Sequence, residues 1–416
     1  MTQDGDEFAR AAAEKVARDS YGKLVAYLAA RTRDVAAAED ALSEAFASAL
    51  AEWPKGGVPD KPAAWLLTVA RRKMIDAMRR RKSADAGADH LKLITDELEA
   101  ANMQANDIPD ERLALMFACA HPAIDAAMRA PLMLQTVLGF DAAAIASAFL
   151  VSPATMGQRL VRAKNKIKQA GIPFRVPERT DLAKRLDAVL EAIYATFAEG
   201  WSDAAGTEIR GRSLAEEGIW LGRLVASLLP DEAETLGLLS LMLHADARRA
   251  ARRSADGSYV PLAEQDTTLW NNGLIDEAEM HLLAASRLGV IGRYQLEAAI
   301  QSAHVVRRRT GQADWAAIES LYDALAGLDD SPVIEINRAI AVAENRGAAA
   351  GLVVLDAVAS DPRLATYQPY WAARAELLAR KGDVVEADTA YEIAIGLESD
   401  PAARRFLQRR RAVLRN

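Results

Sequence analysis

The chain has one cysteine, Cys119, and five histidines among 416 residues. One thiol excludes an internal disulfide framework and any multi-cysteine zinc site. His244, His281 and His304 are scattered, with no HExxH spacing, and the pair Cys119 and His121 cannot close a metal site alone. No GxxxxGK[ST] or GxGxxG loop is present, so nothing points to a nucleotide-hydrolysing regulator. The expectation is a protein that is not an enzyme, with no cofactor and no metal. No apolar run approaches the ~20 residues needed to span a bilayer. The N-terminus, MTQDGDEF, is acidic where a signal peptide would be basic and then apolar. A cytoplasmic location without a membrane partner is therefore expected. A basic excess is also missing: Lys+Arg 51 against Asp+Glu 58 gives −7. That excludes a uniformly basic nucleic-acid coat but leaves room for a basic stripe on an acidic body.

What is present is helix-forming. Apolar residues make up 51% and charged residues 26%, enough to bury real cores. Alanine is abundant and apolar spacing is 3–4 almost throughout, so the fold class is all-α. Tyr21, Leu24, Val25 and Leu28 form one stripe; Leu42, Ala45, Phe46, Ala49 and Leu50 form another. Two composition shifts divide the chain. Residues 83–108 are polar and acidic and read as a linker with one short helix. Gly171, Pro173 and Pro177 break the helix before them. The expected segments are 8–82, the linker 83–108, 109–171, and a long block over 180–416.

The first segment ends in ARRKMIDAMRRRK, where Arg71, Arg72, Lys73, Arg79, Arg80, Arg81 and Lys82 oppose only Asp76. One reading is a solvated helix end, since cations are favoured near a helix C-terminus. The other is a phosphate-tracking helix whose binding releases counterions. Trp65 and Leu66 open this helix, and Val69, Ala70, Ile75 and Met78 supply its apolar side. The preceding stretch, Trp53 to Pro62, is too rich in Gly and Pro to be helical. It reads as a plain connector or as a loop able to hold an extruded base.

The second segment is more specific. Ala142 to Phe149 suits a short helix with Ile145 and Phe149 inward, and Leu150 and Val151 form a turn. Ser152 is a good N-cap and Pro153 fits the first helical position. In the next helix Met156, Leu160, Ala163 and Ile167 fall on one side; Thr155, Gln158, Arg159 and Arg162 fall on the other. Arg159, Arg162, Lys164, Lys166 and Lys168 face no acidic residue between 158 and 168. This is helix-turn-helix spacing with a second helix able to enter a major groove, although a structural helical hairpin has the same pattern.

Together the two segments resemble the DNA-binding domains of an extracytoplasmic-function sigma factor of bacterial RNA polymerase. AAAEDALSEAF (36–46) resembles the helix that docks on the polymerase clamp, which places Glu39, Asp40, Ser43 and Glu44 as polymerase-binding candidates. PAAWLLTVARRKMIDAMRR (62–80) resembles the promoter-melting helix, with Trp65, Leu66, Asp76, Arg79 and Arg80 in place. The second segment resembles the domain that reads the upstream promoter element. Departures are Ser43 where Gln is usual, Arg72 for Asn, Lys73 for an apolar residue, Leu150 for a turn Gly and Gly157 for Lys. The resemblance implies binding to core polymerase and to a two-part promoter. Thr155, Gln158, Arg159, Arg162 and Lys166 would contact the upstream element, where arginine can bond guanine and glutamine adenine bidentately. The 53–62 loop and Arg71, Arg72, Arg79 and Arg80 would engage the downstream element.

The third block ends in YWAARAELLARKGDVVEADTAYEIAIGLESDP, close to the tetratricopeptide pattern of small and aromatic positions. Gly311, Gly347 and Gly382 recur close to that repeat's ~34-residue period. A helical array follows, with degenerate earlier copies. EAIYATFAEGW (191–201), LHADARRAARRSADG (243–257), LAEQDTTLW (262–270) and SPVIEINRAIAVAE (331–344) resemble segments of a sigma-factor subgroup that carries such an extension. Arg248, Arg249, Arg252, Arg253 and Arg307, Arg308, Arg309 are expected to pair with acids inside the block. They could instead bind DNA, a phosphorylated ligand or polymerase. The extension is expected to modulate activity in cis, by shielding the basic helices or by assisting polymerase binding, and to offer a surface for a protein or ligand. The alternatives are a helix-turn-helix regulator with a tetratricopeptide sensor that does not replace sigma, and a protein-binding scaffold whose basic helices are structural.

Overall fold

A computed structural model describes residues 2–82, 110–149, 151–202 and 209–414. The expected linker, 83–108, and the turn residue Leu150 lie outside the described residues. The fold is all-α. Among the described residues there is no strand; Arg253 and Tyr259 form an isolated antiparallel bridge. Two compact units are present, Met1–Glu199 and Gly200–Asn416.

In the first unit, α1 (Thr2–Thr32), α2 (Val35–Gly56) and α3 (Pro62–Lys82) pack as a bundle. Leu24, Val25 and Leu28 of α1 meet the inner stripes of α2 and α3. Those stripes are Leu42, Ala45 and Ala49, and Leu66, Ala70 and Met74, all buried. The 3–4 spacing of each set puts it on one helix face. Leu50, expected inside, is 47% exposed; it lies one residue beyond Ala49 and so turns off the buried stripe. The side chain of Asp34 opens α2 by accepting from the Ala37 amide at 3.0 Å. Helix α2 also runs further than the sequence suggests, through Trp53 and Pro54 to Gly56. Pro54 sits in the final turn, where it forfeits the one bond to the Leu50 carbonyl with little helix left beyond it, and buried Trp53 anchors that turn. Only residues 57–61 remain a loop.

The rest of this unit is α4 (Arg112–Cys119), α5 (Ala126–Thr136), α6 (Ala142–Ala148), α7 (Pro153–Gln169) and the start of α8 (Arg179–Ser202). Asp125, Asp141 and Ser152 cap α5, α6 and α7 through amides of Ala127, Ala144 and Thr155. Pro153 takes the first position of α7. Met156, Leu160, Ala163 and Ile167 are all buried and, with Ile145 of α6, form the packed inner face of this helix pair. Cys119 is fully buried beside the Thr136 hydroxyl, 3.4 Å from Sγ, and burial pushes its thiol up to about 12. It is a packed side chain and not a nucleophile.

The two bundles of the first unit meet through missing side chains. A Cβ on Gly22 of α1 would lie 2.0 Å from the Val137 carbonyl oxygen, just after α5. Gly139, at φ +79°, lies under the Tyr21 ring, where a Cβ would come within 2.9 Å of Cδ1.

The second unit is built round α10 (Ala233–Ala247), flanked by α9 (Ile209–Leu228), α11 (Asn272–Arg287) and α12 (Arg293–Val305). Most of α10 is buried all round, as an apolar helix without a polar face must be. Glu234 reaches out of it to accept from the amides of Tyr294 and Gln295, at 2.9 and 3.0 Å, at the start of α12. That satisfies orphan donors and places a negative charge at a positive helix end. Further on lie α13 (Trp315–Ala326), α14 (Pro332–Arg346), α15 (Ala348–Val358), α16 (Gln368–Lys381), α17 (Val384–Leu397) and α18 (Pro401–Val413). Consecutive helices pack pairwise, α14 on α15 and α16 on α17. Tyr370, Ala375, Leu378, Ala387, Tyr391 and Ala394 belong to their shared core. Gly311, Gly347 and Gly382 each end a helix at positive φ, which explains glycine at all three.

Gly22→Ala should destabilise the first unit by about 1–3 kcal/mol, the usual cost of overpacking. Gly157→Ala, inside α7 with open space beyond its Cα, should stabilise by about 0.5–1 kcal/mol. Urea denaturation of both variants checks the contrast; equal effects would contradict the close approach at Val137.

Candidate nucleic-acid interface

Helix α7 carries three stripes. The first is the buried apolar one. The second, Arg159, Arg162 and Lys166, is exposed and lines an open groove of about 560 Å³. Ala123, Ile124, Asp125 and Met128 form the facing wall, so the positive N-terminus of α5 shares the groove. Gln158 is exposed beside this stripe, and Thr155 is half-buried, its hydroxyl 2.7 Å from that of Ser152. The five α7 candidates therefore share a polar face, and the apolar stripe points away from it.

The third stripe is used up. The Lys164 ammonium donates to Glu39 Oε2 at 2.6 Å, and the Lys168 ammonium to Asp34 Oδ2 at 2.7 Å. Asp34 thus caps α2 with one oxygen and holds α7 with the other. Glu39 is 8% exposed and its Oε1 has no hydrogen-bond partner. Burial raises the carboxyl of Glu39 above the usual range, and Lys164 pulls it back only in part. Sequence inspection missed these partners, which lie 125 and 134 residues apart. The available signal was negative: α7 contains no acid to pair with its own lysines.

The other polymerase-binding candidates stand differently from Glu39. Asp40, Ser43 and Glu44 are exposed on α2, and Glu44 lies 3.4 Å from the Lys73 ammonium of α3.

On α3, Arg72 is exposed, but Arg71 is not. Arg71 is 6% exposed, donates to the Tyr27 hydroxyl, and lies 5.0 Å from the Tyr27 ring centroid. Burial lowers its pKa. The expectation of a DNA contact at Arg71 is therefore corrected: this guanidinium braces α3 on α1. Arg79 and Arg80 lie on the last turn of α3, and their side chains are outside the described residues. Trp53 and Trp65 pack edge to face at 5.5 Å across the 57–61 loop, so the two indoles clamp its ends.

This arrangement can hold phosphates in a basic groove and present Arg and Gln side chains to base edges. Among the described residues no group of His, Cys, Asp and Glu could hold a metal ion, and no helix is long and apolar enough to cross a membrane.

Residues 17–84, which include α2 and α3, match the family described as Sigma-70 region 2. Residues 185–286, from α8 into α11, match a family of unknown function, DUF6596. An uncharacterized protein of Rhizobium meliloti (strain 1021), R00370, is 38% identical over 392 residues, covering 93% of this chain and 91% of that protein. The chain belongs to the family of R00370. Its architecture is a sigma-70 region 2 followed by a large helical domain. No solved structure matches this family member.

Lys164→Ala leaves Glu39 buried without its cation. It should cost toward the lower end of the ~3–5 kcal/mol seen on breaking buried pairs, because both side chains keep slight exposure. Lys168→Ala, more exposed, should cost no more than about 1 kcal/mol. A double-mutant cycle adding Glu39→Gln should return a coupling above about 0.5 kcal/mol. Additivity would mean that the pair contributes nothing.

Proposed function

We propose that the protein is a sigma factor of the extracytoplasmic-function kind, which binds core RNA polymerase and directs initiation at a two-part promoter. The observation that carries this reading is the match of residues 17–84 to Sigma-70 region 2 in a chain whose α7, packed on α6, keeps an exposed basic face. In this reading Thr155, Gln158, Arg159, Arg162 and Lys166 face the upstream element. Arg72, Arg79 and Arg80 on α3 track the downstream phosphates, and the loop between Trp53 and Trp65 receives a non-template base. Asp40, Ser43 and Glu44 offer the polymerase an acidic, polar strip on α2; Glu39 joins it only by leaving Lys164. The chain carries no covalent chemistry; the polymerase supplies it.

The second unit modulates activity in cis as a tetratricopeptide-like array, and a protein or ligand acts on it there. Both the pairwise helices and the positive-φ glycines support that description. The protein works in the cytoplasm, where core polymerase is found.

Reconstituted transcription with purified core polymerase and the full chain tests the proposal. The expected result is specific transcripts with this chain as the only sigma. Arg159→Ala and Arg162→Ala should each lower promoter affinity by the ~1–3 kcal/mol of a bidentate base contact. Arg72→Ala should instead weaken binding uniformly across sequences and reduce the salt slope by about one. If initiation needs a separately supplied sigma, the chain is a helix-turn-helix regulator with an attached sensor. If promoter DNA is not retained even at low salt, it is a scaffold.

A further inference from the structure

The second unit contains a cavity of about 240 Å³ that the sigma-factor reading does not use. Leu262, Trp270, His304, Arg307, Ala313 and Trp315 line it. They come from the short 3-10 turns before α11, from the end of α12, and from the start of α13. The walls are braced. Trp270 belongs to a packed cluster with Ala247, Ala251, Ile275 and Val305. Trp315 meets the His304 ring edge to face at 5.4 Å.

The polar groups of this cavity are incompletely matched. Arg307 donates through Nη1 to the Leu262 carbonyl and through Nη2 to the Gln265 carbonyl. A guanidinium has five donors, so three remain. No described carboxylate lies within ion-pair distance of it, and its acceptors are neutral. Trp270 is 3% exposed, and its indole N–H has no acceptor. Burial, reinforced by Arg248 and Arg307, pushes His304 down to about 4, so its ring is neutral at pH 7. The cavity therefore combines a cation held only by neutral carbonyls and by the Trp270 ring, 5.9 Å from its guanidinium carbon, with a neutral imidazole and two aromatic walls, and no acid lines it. An anion with a flat apolar body complements the cation and the aromatic walls together. The volume falls below the ~300–1,000 Å³ of drug-sized sites, which limits the occupant to one or two fused rings.

We propose that this cavity binds a small planar aromatic carboxylate, its carboxylate held by Arg307 and its ring packed against Trp270 and Trp315. The geometry gives each part of such a ligand one partner. The charge-assisted bond from arginine supplies orientation, and the indole faces supply apolar contact.

The test uses the full chain and 2-naphthoate as probe, read by calorimetry and by quenching of tryptophan fluorescence. Saturable binding with one site per chain is expected. The neutral analogue 2-naphthalenemethanol, with the same ring, should bind at least about tenfold more weakly, since it cannot form the charge-assisted bond. Ala263→Phe places a ring at the cavity wall from an exposed position and should weaken 2-naphthoate about tenfold or more while leaving the melting temperature unchanged. Arg309→Gln, exposed and not part of the lining, should change nothing. No saturable signal at millimolar probe, equal binding of the alcohol, or undiminished binding by Ala263→Phe would each overturn the proposal. Binding is read without polymerase, so its failure and that of the sigma-factor reading are separable.

Discussion

Glu39 is a carboxylate taken almost wholly out of water, and such a group must meet a cation or give up its charge. The cation that reaches it is Lys164, from a helix far along the chain. The meeting is possible because Gly22 and Gly139 let the two bundles approach at backbone distance. Lys168 and Asp34 extend the same seam by one helical turn, and Asp34 does so without releasing the α2 amide that it caps. Attraction alone does not explain the seam, since desolvating a carboxylate and an ammonium can outweigh their Coulomb gain. What the pair does is fix register. Removing either partner strands the other, so the two bundles have one favoured way to dock.

That register determines which charges of α7 remain available. Positions 164 and 168 are one turn apart and share a face; 159, 162 and 166 share another; 156, 160, 163 and 167 share the third. One helix thus divides its work among core, seam and free basic face. A partner that needs Glu39 must take it from Lys164, whereas one that needs Asp40, Ser43 or Glu44 meets those side chains already exposed. The two kinds of partner would feel the docked arrangement differently, one through competition and the other through shape alone.

Local periodicity made much of this legible in the sequence. The buried stripe of α7, the Ser152–Pro153 start and the turn glycines Gly311, Gly347 and Gly382 all depend on nearest turns of chain. What was not legible depends on tertiary neighbours. Arg71 sits in a basic run and reads as solvated or phosphate-facing, yet Tyr27, 44 residues earlier, draws it inward. Leu50 reads as core because it extends an apolar run, yet the core is one stripe wide there. Pro54 reads as a helix breaker, yet a proline in the last turn has little helix left to break. Lys164 and Lys168 read as unpaired because their own helix offers no acid.

The arginines of the second unit were expected to find acids, and they did so only in part. Arg249 pairs with Asp246, and Arg253 with Asp400. Arg248 turns instead to the Gln301 amide, Arg308 to the Asn272 amide, and Arg307 to two main-chain carbonyls. Neutral acceptors satisfy donors without cancelling charge, so burial of these cations is only partly offset. Burial brings Arg248 down to about 10, and His244 and His304 are both pushed down by burial and by arginines around them. Asp246 and Asp400 cancel charge at Arg249 and Arg253, while Arg248, Arg307 and Arg308 rest on neutral acceptors. Three buried or half-buried guanidiniums, those of Arg248, Arg307 and Arg308, thus meet no described carboxylate at ion-pair distance, and packing has to hold them in place.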